Sequence, residues 1–272
     1  MQKFLFICMS LFSILLVSCE KEVDVEIIDN DPKIVVSTHI GVGEMLKIYV
    51  SSSIPLYSTH NEQTNFIEDA LAEISSDNTN WKTLDYNFSD KYYSLPLSAF
   101  NASEGQTYYI RISANGYKSV KSFCSIPVYS PVSITLAKLD STTDISGMGF
   151  NSLGITIKVK DASNQKNFYG IYAYLNDQQM YIENNSLWVF SDNLGDGKEF
   201  LFNYTSDYWQ HGDNIKVRLF QTSESFYRFH FSYANYVSDN PFSEPSPVYS
   251  NIENGLGICS GYTYRDYSFI IP

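Results

Sequence analysis

From residue 33 onward the chain is a succession of short β-branched and aromatic runs in which apolar and polar residues alternate, the period expected of strands with one wet face. KIVVST at 33–38 and MLKIYV at 45–50, separated by Gly41 and Gly43, read as the first hairpin of a sandwich. Runs at 70–75, 81–84, 92–95, 107–114 and 119–126 continue the series. Asn115-Gly116, between YYIRISA and YKSVKSF, predicts a tight hairpin turn, because both residues accept positive φ. Seven or so strands with turns every eight to twelve residues fit an immunoglobulin-like β-sandwich over 33–128. Pro127 and Pro131 then bracket a break, since proline cannot donate to an interior ladder, and the domain boundary is placed there.

The second half, 132–272, restarts the pattern at 133–138, 154–160, 168–176, 179–182, 187–190, 200–204 and 214–221, with a closing strand at 260–271. Ile155-Thr156-Ile157-Lys158-Val159-Lys160 is a clear alternation, and it predicts a second antiparallel β-sandwich or barrel domain. One segment has a different period. Phe226, Phe229, His230, Tyr233 and Val237 form a stripe of 3.6-residue repeat, with Ser223 placed to cap its start and Pro241 beyond its end. An amphipathic helix is expected at about 223–238, lying on the second sheet, so the fold class is mainly β with one helix.

The first eighteen residues break this pattern altogether. Lys3 precedes an apolar run from Phe4 to Val17 of about fourteen residues, short of the roughly twenty that a helix needs to span a membrane, so 1–18 reads as a signal peptide. Its end, Leu16-Val17-Ser18-Cys19, resembles the bacterial lipobox, and Cys19 is expected to carry the acyl chains. Stable anchoring takes two or more such chains, because each buried CH₂ contributes only about 0.8 kcal/mol. Residues 19–32 begin Cys19-Glu20-Lys21-Glu22 and hold too little apolar surface to fold, which makes them an acidic tether.

Charge narrows the partners. With 18 Lys plus Arg against 30 Asp plus Glu, the net charge is −12, a poor surface for nucleic acid, whose binding rests on neutralising phosphates. Cysteine usage adds one question. Cys8 leaves with the signal and Cys19 is acylated, so Cys124 and Cys259 are left in an oxidising compartment where they could pair as a disulfide or sit as small buried hydrophobes.

No assembled active site is visible, so the chain is expected not to be an enzyme and to need no cofactor or metal. His39, His60, His211 and His230 are scattered without metal-ligand spacing, and His230 reads as a packed side chain. Asp192-Asn193-Leu194-Gly195-Asp196-Gly197 resembles a calcium loop only superficially, because Leu194 and Asn203 stand where ligand oxygens are required, and a hairpin turn is preferred. Gly255-Leu256-Gly257 suits a backbone that needs positive φ or close approach to another element. Aromatic side chains near turns are the remaining candidates for ligand or partner contact. Of these, Tyr208-Trp209 is the pair least easily explained as core, with Trp188 and Tyr181 beside it in the same half.

The stretch NPFSEPSPVYSNIENGLGICSGY at 240–262, the aromatic helix before it, Ser53-Ile54-Pro55 and the I-x-D-A element at 67–70 together resemble a family of Bacteroidetes lipoproteins known as domain of unknown function 4249. The resemblance covers essentially the whole chain after the signal, and 251–258 is its most specific part. It implies an outer-membrane, lipid-anchored setting, often beside TonB-dependent transporters, and acidic residues after Cys19 resemble an export signal to the cell exterior. It implies no catalytic residue, and it departs at Cys259, where family members commonly carry an aromatic. The expected role is an accessory or binding component of a TonB-dependent outer-membrane transporter. The alternative is a structural or adhesive surface lipoprotein working through protein–protein contacts, by strand addition.

Overall fold

The computed structural model describes residues 31–54, 65–142, 152–180, 187–206, 212–236 and 247–271. The signal segment, Cys19, most of the tether, Tyr181, Tyr208 and Trp209 lie outside the described residues. In chain order the strands are β1 (Ile34–Gly41), β2 (Leu46–Ser52), β3 (Asn65–Phe66), β4 (Leu71–Ser75), β5 (Lys82–Thr83), β6 (Asp85–Asn87), β7 (Tyr92–Leu95), β8 (Thr107–Ser113) and β9 (Val120–Ser125). They continue as β10 (Ser133–Thr142), β11 (Ser152–Lys160), β12 (Phe168–Leu175), β13 (Gln178–Met180), β14 (Trp188–Ser191), β15 (Glu199–Ser206) and β16 (Asn214–Thr222). Helix α1 (Glu224–Ala234) and the fifteen-residue β17 (Leu256–Ile270) complete the chain.

Alternation translates directly into faces. In β2, Leu46, Ile48 and Val50 are buried while Lys47 and Tyr49 are exposed, and in β8 Tyr108, Ile110 and Ile112 are buried between outward Tyr109 and Arg111. The hairpins follow the turn chemistry: β1 and β2 pair antiparallel, and so do β8 and β9 across Gly116 at φ 82°.

These strands build three sheets. A ten-stranded sheet runs β13-β12-β16-β17-β1-β2-β7-β6, with β14 on β12 and β3 on β2. A four-stranded sheet, β5-β4-β8-β9, packs on its β1–β2–β7 end, and a three-stranded sheet, β10-β11-β15, on its β12–β16 end. Two hydrophobic cores result. The first gathers Ile34, Val36, Ile48, Ile74, Ile110 and Ile126, and the second Ile157, Val159, Ile171, Val217 and Leu219. Each such side chain is almost wholly inaccessible, and its burial is worth about 2 kcal/mol.

The cores divide near the 127–131 break, but the backbone does not. Residues 32–272 form one compact unit, in which β17 pairs antiparallel with β16 and, through Leu256 to Tyr262, parallel with β1. Ile252 and Cys259 thereby belong to the first core although they lie within 132–272. The sheets are antiparallel as expected except for this one parallel pairing. β17 also starts earlier than expected, at Leu256, because Gly257 at φ +105° brings the strand against β1 so closely that a Cβ there would strike the Val36 carbonyl.

Helix α1 is shorter than the expected 223–238. It opens where Ser223 accepts the Phe226 N–H, and it closes at Asn235, whose side-chain amide donates to the Phe231 carbonyl at 2.6 Å. The helix covers β17 on the face opposite the core, so Ile258, Cys259, Ser260 and Gly261 are buried on both sides of the sheet. Only the first part of its stripe packs. Phe226 is buried and Phe229 and His230 are half-buried, whereas Tyr233 is 65% exposed and Val237 lies outside the described residues.

Candidate functional site

The most developed surface is the outer face of the ten-stranded sheet, where β1, β2, β12, β16 and β17 run side by side. Register places its residues. His39 on β1 lies opposite Ser260 on β17, and His39 Nδ1 meets Ser260 Oγ at 2.5 Å. Across that bond the His39 ring stacks on His230 of α1 with centroids 5.2 Å apart, and Phe226 lies against both rings. Burial pushes His39 down to about 3, helped by the neighbouring imidazole, and burial pushes His230 down to about 4. Both rings are therefore neutral at neutral pH, and His230 Nε2 is buried without a hydrogen-bond partner. Ser260 is 0% exposed, so the Ser260–His39 pair ties β17 to β1, the His39–His230 stack ties the sheet to the helix, and no hydroxyl is presented to a substrate.

Beside this pair the sheet opens into a cavity of about 360 Å³ between the β1–β2 turn and β17, lined by Ser37, His39, Glu44, Lys47, Tyr49 and Tyr262 among others. Gly41 is what makes room for Tyr262, since a Cβ there would lie 2.7 Å from the tyrosine ring. The Tyr262 hydroxyl donates to Glu44 at 2.5 Å, and burial followed by this bond raises the phenol above its usual range. Both charges in the cavity, Glu44 and Lys47, come from the hairpin.

From Tyr262 an aromatic row continues across the strands. Phe220 meets Tyr262, Tyr264 and Tyr172 at centroid distances of 5.4, 5.8 and 5.3 Å. Arg218 lies 4.1 Å above the Tyr264 ring and makes a two-pronged pair with Asp266 at 2.7 and 2.9 Å. The bond from Arg218 holds the Asp266 carboxyl below the usual carboxylate range, with Lys216 adding to it at 3.7 Å. The result is an aromatic surface in which Tyr172, Tyr262 and Tyr264 are partly exposed around a buried Phe220, with an ion pair beside it and a cavity at one end. Such a surface can stack on planar or sugar-like faces and can dock another protein.

A second concavity, of about 580 Å³, lies on the four-stranded sheet. Arg111 stacks 4.2 Å over Trp81 and pairs with Glu73, while Phe123, 62% exposed, stands 6.0 Å from Tyr109. Its aromatic surface is smaller and half covered by the arginine.

The acids singled out in the sequence do converge, but as a clamp. Asp161, at the end of β11, joins Asp192 and Asp196 with oxygens within 4.8 Å of one another. Asp161 accepts from Tyr169 and Asn167 through one oxygen and from the Gly197 N–H through the other. Asp196 accepts the Asn164 N–H and Asp192 the Asn167 N–H. Burial, with Asp161 and Asp196 nearby, raises the Asp192 carboxyl. The segment is not the hairpin turn expected from its sequence. β14 pairs with β12 and β15 with β11, so a short 3-10 turn at Asp192–Leu194 carries the chain from one sheet to another.

Of the aromatic candidates from the sequence, Trp188 is 37% exposed at the start of β14 and meets Phe202 edge-on at 6.0 Å, which ties it to the second core. Tyr181, Tyr208 and Trp209 lie outside the described residues. The Tyr172–Phe220–Tyr264 row was missed. Its signal was aromatic residues in the outward phase of three strands, legible only once those strands are known to be neighbours. Cys124 and Cys259 are both buried, with free thiols.

Among the described residues no helix is long and apolar enough to cross a membrane. Comparison with known proteins gives three findings. The sequence model of a family described as Domain of unknown function (DUF4249) matches residues 20–268. No curated protein matches the chain. Among solved structures, the chicken interferon gamma receptor alpha chain is similar at 11% identity, over 89% of this chain and 100% of that one, with a TM-score of 0.22.

Proposed function

From the premise that the chain belongs to the DUF4249 family, we propose that it is a non-enzymatic binding lipoprotein of the cell envelope. In this reading acyl chains on Cys19 hold it to the outer membrane, and it serves as an accessory component of a TonB-dependent transporter. The observation that carries the binding role is the outer face of the ten-stranded sheet. Tyr172, Phe220, Tyr262 and Tyr264 lie in one row around the Arg218–Asp266 pair, next to an open cavity. Partly exposed tyrosines beside an arginine already stacked on one of them are what binding hot spots are made of, since little side-chain entropy remains to be lost. The anchor and the transporter rest on the lipobox-like Leu16 to Cys19 and on the family's setting.

The test is co-purification from native envelope membranes with a C-terminally tagged full-length chain, compared with Arg218→Ala/Tyr264→Ala. Recovery of a transporter with the parent, reduced at least tenfold with the double variant, supports the proposal. Recovery of nothing but the chain itself, or equal recovery with the double variant, sinks the transporter role or the face respectively.

One observation favours the structural alternative. Among the described residues, β10 and β15 each have a single neighbour in their sheet, and such edges accept an added strand. Filaments or higher oligomers of the purified chain would put that reading first.

A further inference from the structure

Two independent ties bring β9 and the β17 segment together around one pair of side chains. On one side, Ser122 Oγ donates to the Asn251 carbonyl at 2.7 Å, and the Asn251 side chain in turn clamps Cys259, accepting its N–H at 2.9 Å and donating to its carbonyl at 2.7 Å. On the other side, Gly261 rests against Ser125 so closely that a Cβ would lie 2.8 Å from the Ser125 carbonyl and 2.9 Å from Ile126. Cys124 lies between Ser122 and Ser125, and Cys259 shares the inward phase of Gly261. Both thiols are in the first core, 3% and 0% exposed, where β9 and β17 pack on each other.

We infer that Cys124 and Cys259 are joined by a disulfide in the mature protein, linking the two sheets of the first sandwich and closing a loop of 135 residues. The inference rests on the exported setting of the proposed function, where a disulfide persists. The oxidant is a protein thiol oxidase in its disulfide form. The Cys124 thiolate attacks one sulfur of that donor, whose S–S bond breaks as a mixed disulfide forms and the second donor sulfur leaves as thiolate. The Cys259 thiolate then attacks the Cys124 sulfur, the Cys124–Cys259 bond forms, and the first donor sulfur leaves. Two electrons pass to the donor, and the two thiol protons are balanced by those its thiolates take up. The neighbouring Cys259 thiol and burial together push the Cys124 thiol well up, so the packed core holds no attacking thiolate and the exchange precedes packing.

The experiment uses the full-length chain in its envelope, acid-quenched, unfolded and treated with a maleimide before proteolysis without reductant. A linked peptide pair containing Cys124 and Cys259, lighter than the two free peptides by two hydrogens and split by reductant, is the expected result. Maleimide on both cysteines of protein recovered from the envelope overturns the bridge alone. The same labelling on protein recovered from the cytoplasm overturns the bridge and the exported setting with it.

Discussion

Acid should loosen this protein well above the pH at which its carboxylates titrate, through the stacked pair His39 and His230. In the unfolded chain both imidazoles protonate near 6.5, whereas in the fold burial holds them to about 3 and about 4. Below pH 6.5 the unfolded state therefore binds two protons that the folded state refuses, and stability falls by about 1.4 kcal/mol per pH unit for each ring. At pH 5 the loss is about 2 kcal/mol per ring, or ~4 kcal/mol for the pair, a large part of the 5–15 kcal/mol typical of a folded chain. The full contribution is present above 6.5, and the loss stops growing once each folded value is passed. Most carboxylates act lower, near 4, and Asp192, which burial raises, acts with the opposite sign, so a loss of stability from 6.5 to 5 reports histidine. Glu44 and Lys47 line the cavity beside the His39 ring. Urea unfolding followed by circular dichroism from pH 7.5 to 5 measures the slope, and His39→Gln/His230→Leu should remove most of it. A parent curve flat over this range, or an equal slope in the double variant, would refute the reasoning.

Replacing Gly257 by alanine should cost more than about 3 kcal/mol, since φ +105° and collision with Val36 act together, whereas Gly116→Ala, at φ +82° in open space, should cost about 1 kcal/mol. Thermal melts of the two variants side by side check the ratio. Asp161→Asn keeps one acceptor oxygen and turns a donating NH2 toward either the Gly197 N–H or Tyr169 and Asn167, and should lower stability by about 1–3 kcal/mol in urea titrations. Ser223→Ala loses the helix cap and the contact from the Gly261 N–H, for about 1–2 kcal/mol, and amide exchange should report it first at Phe226.

Individual strands could be read from the chain because alternation is local. Leu46, Ile48 and Val50 announce their inward phase with no knowledge of their partners, and Asn115-Gly116 announces its own turn. Partnership across the molecule is another matter. Nothing near His39 indicates that Ser260, 221 positions away, will face it, because a parallel pairing leaves no turn between its strands to mark it. The same gap hid the candidate site. Tyr172, Phe220 and Tyr264 each look like an ordinary aromatic in a wet phase, and become a surface only when β12, β16 and β17 are adjacent. The acids at 192 and 196 misled in the opposite way, for their local spacing suggested a turn while their structural task, with Asp161 from β11's end, is to tie a crossing between two sheets. Gly255-Leu256-Gly257 was legible in principle, since glycine so placed advertises close approach, but its partner Val36 was not.

The position of β17 has a consequence for how the chain comes into being. A polypeptide is made from its first residue, yet β1, almost the first strand to emerge, finds one of its two neighbours only when residues 256–262 arrive. Until then the first sandwich lacks Ile252 and Cys259 from its interior and carries a bare edge, the kind of surface that recruits unwanted strands. A break in the chain before Leu256 would therefore be felt at Val35 to Gly41, far back in the sequence, as directly as at β16.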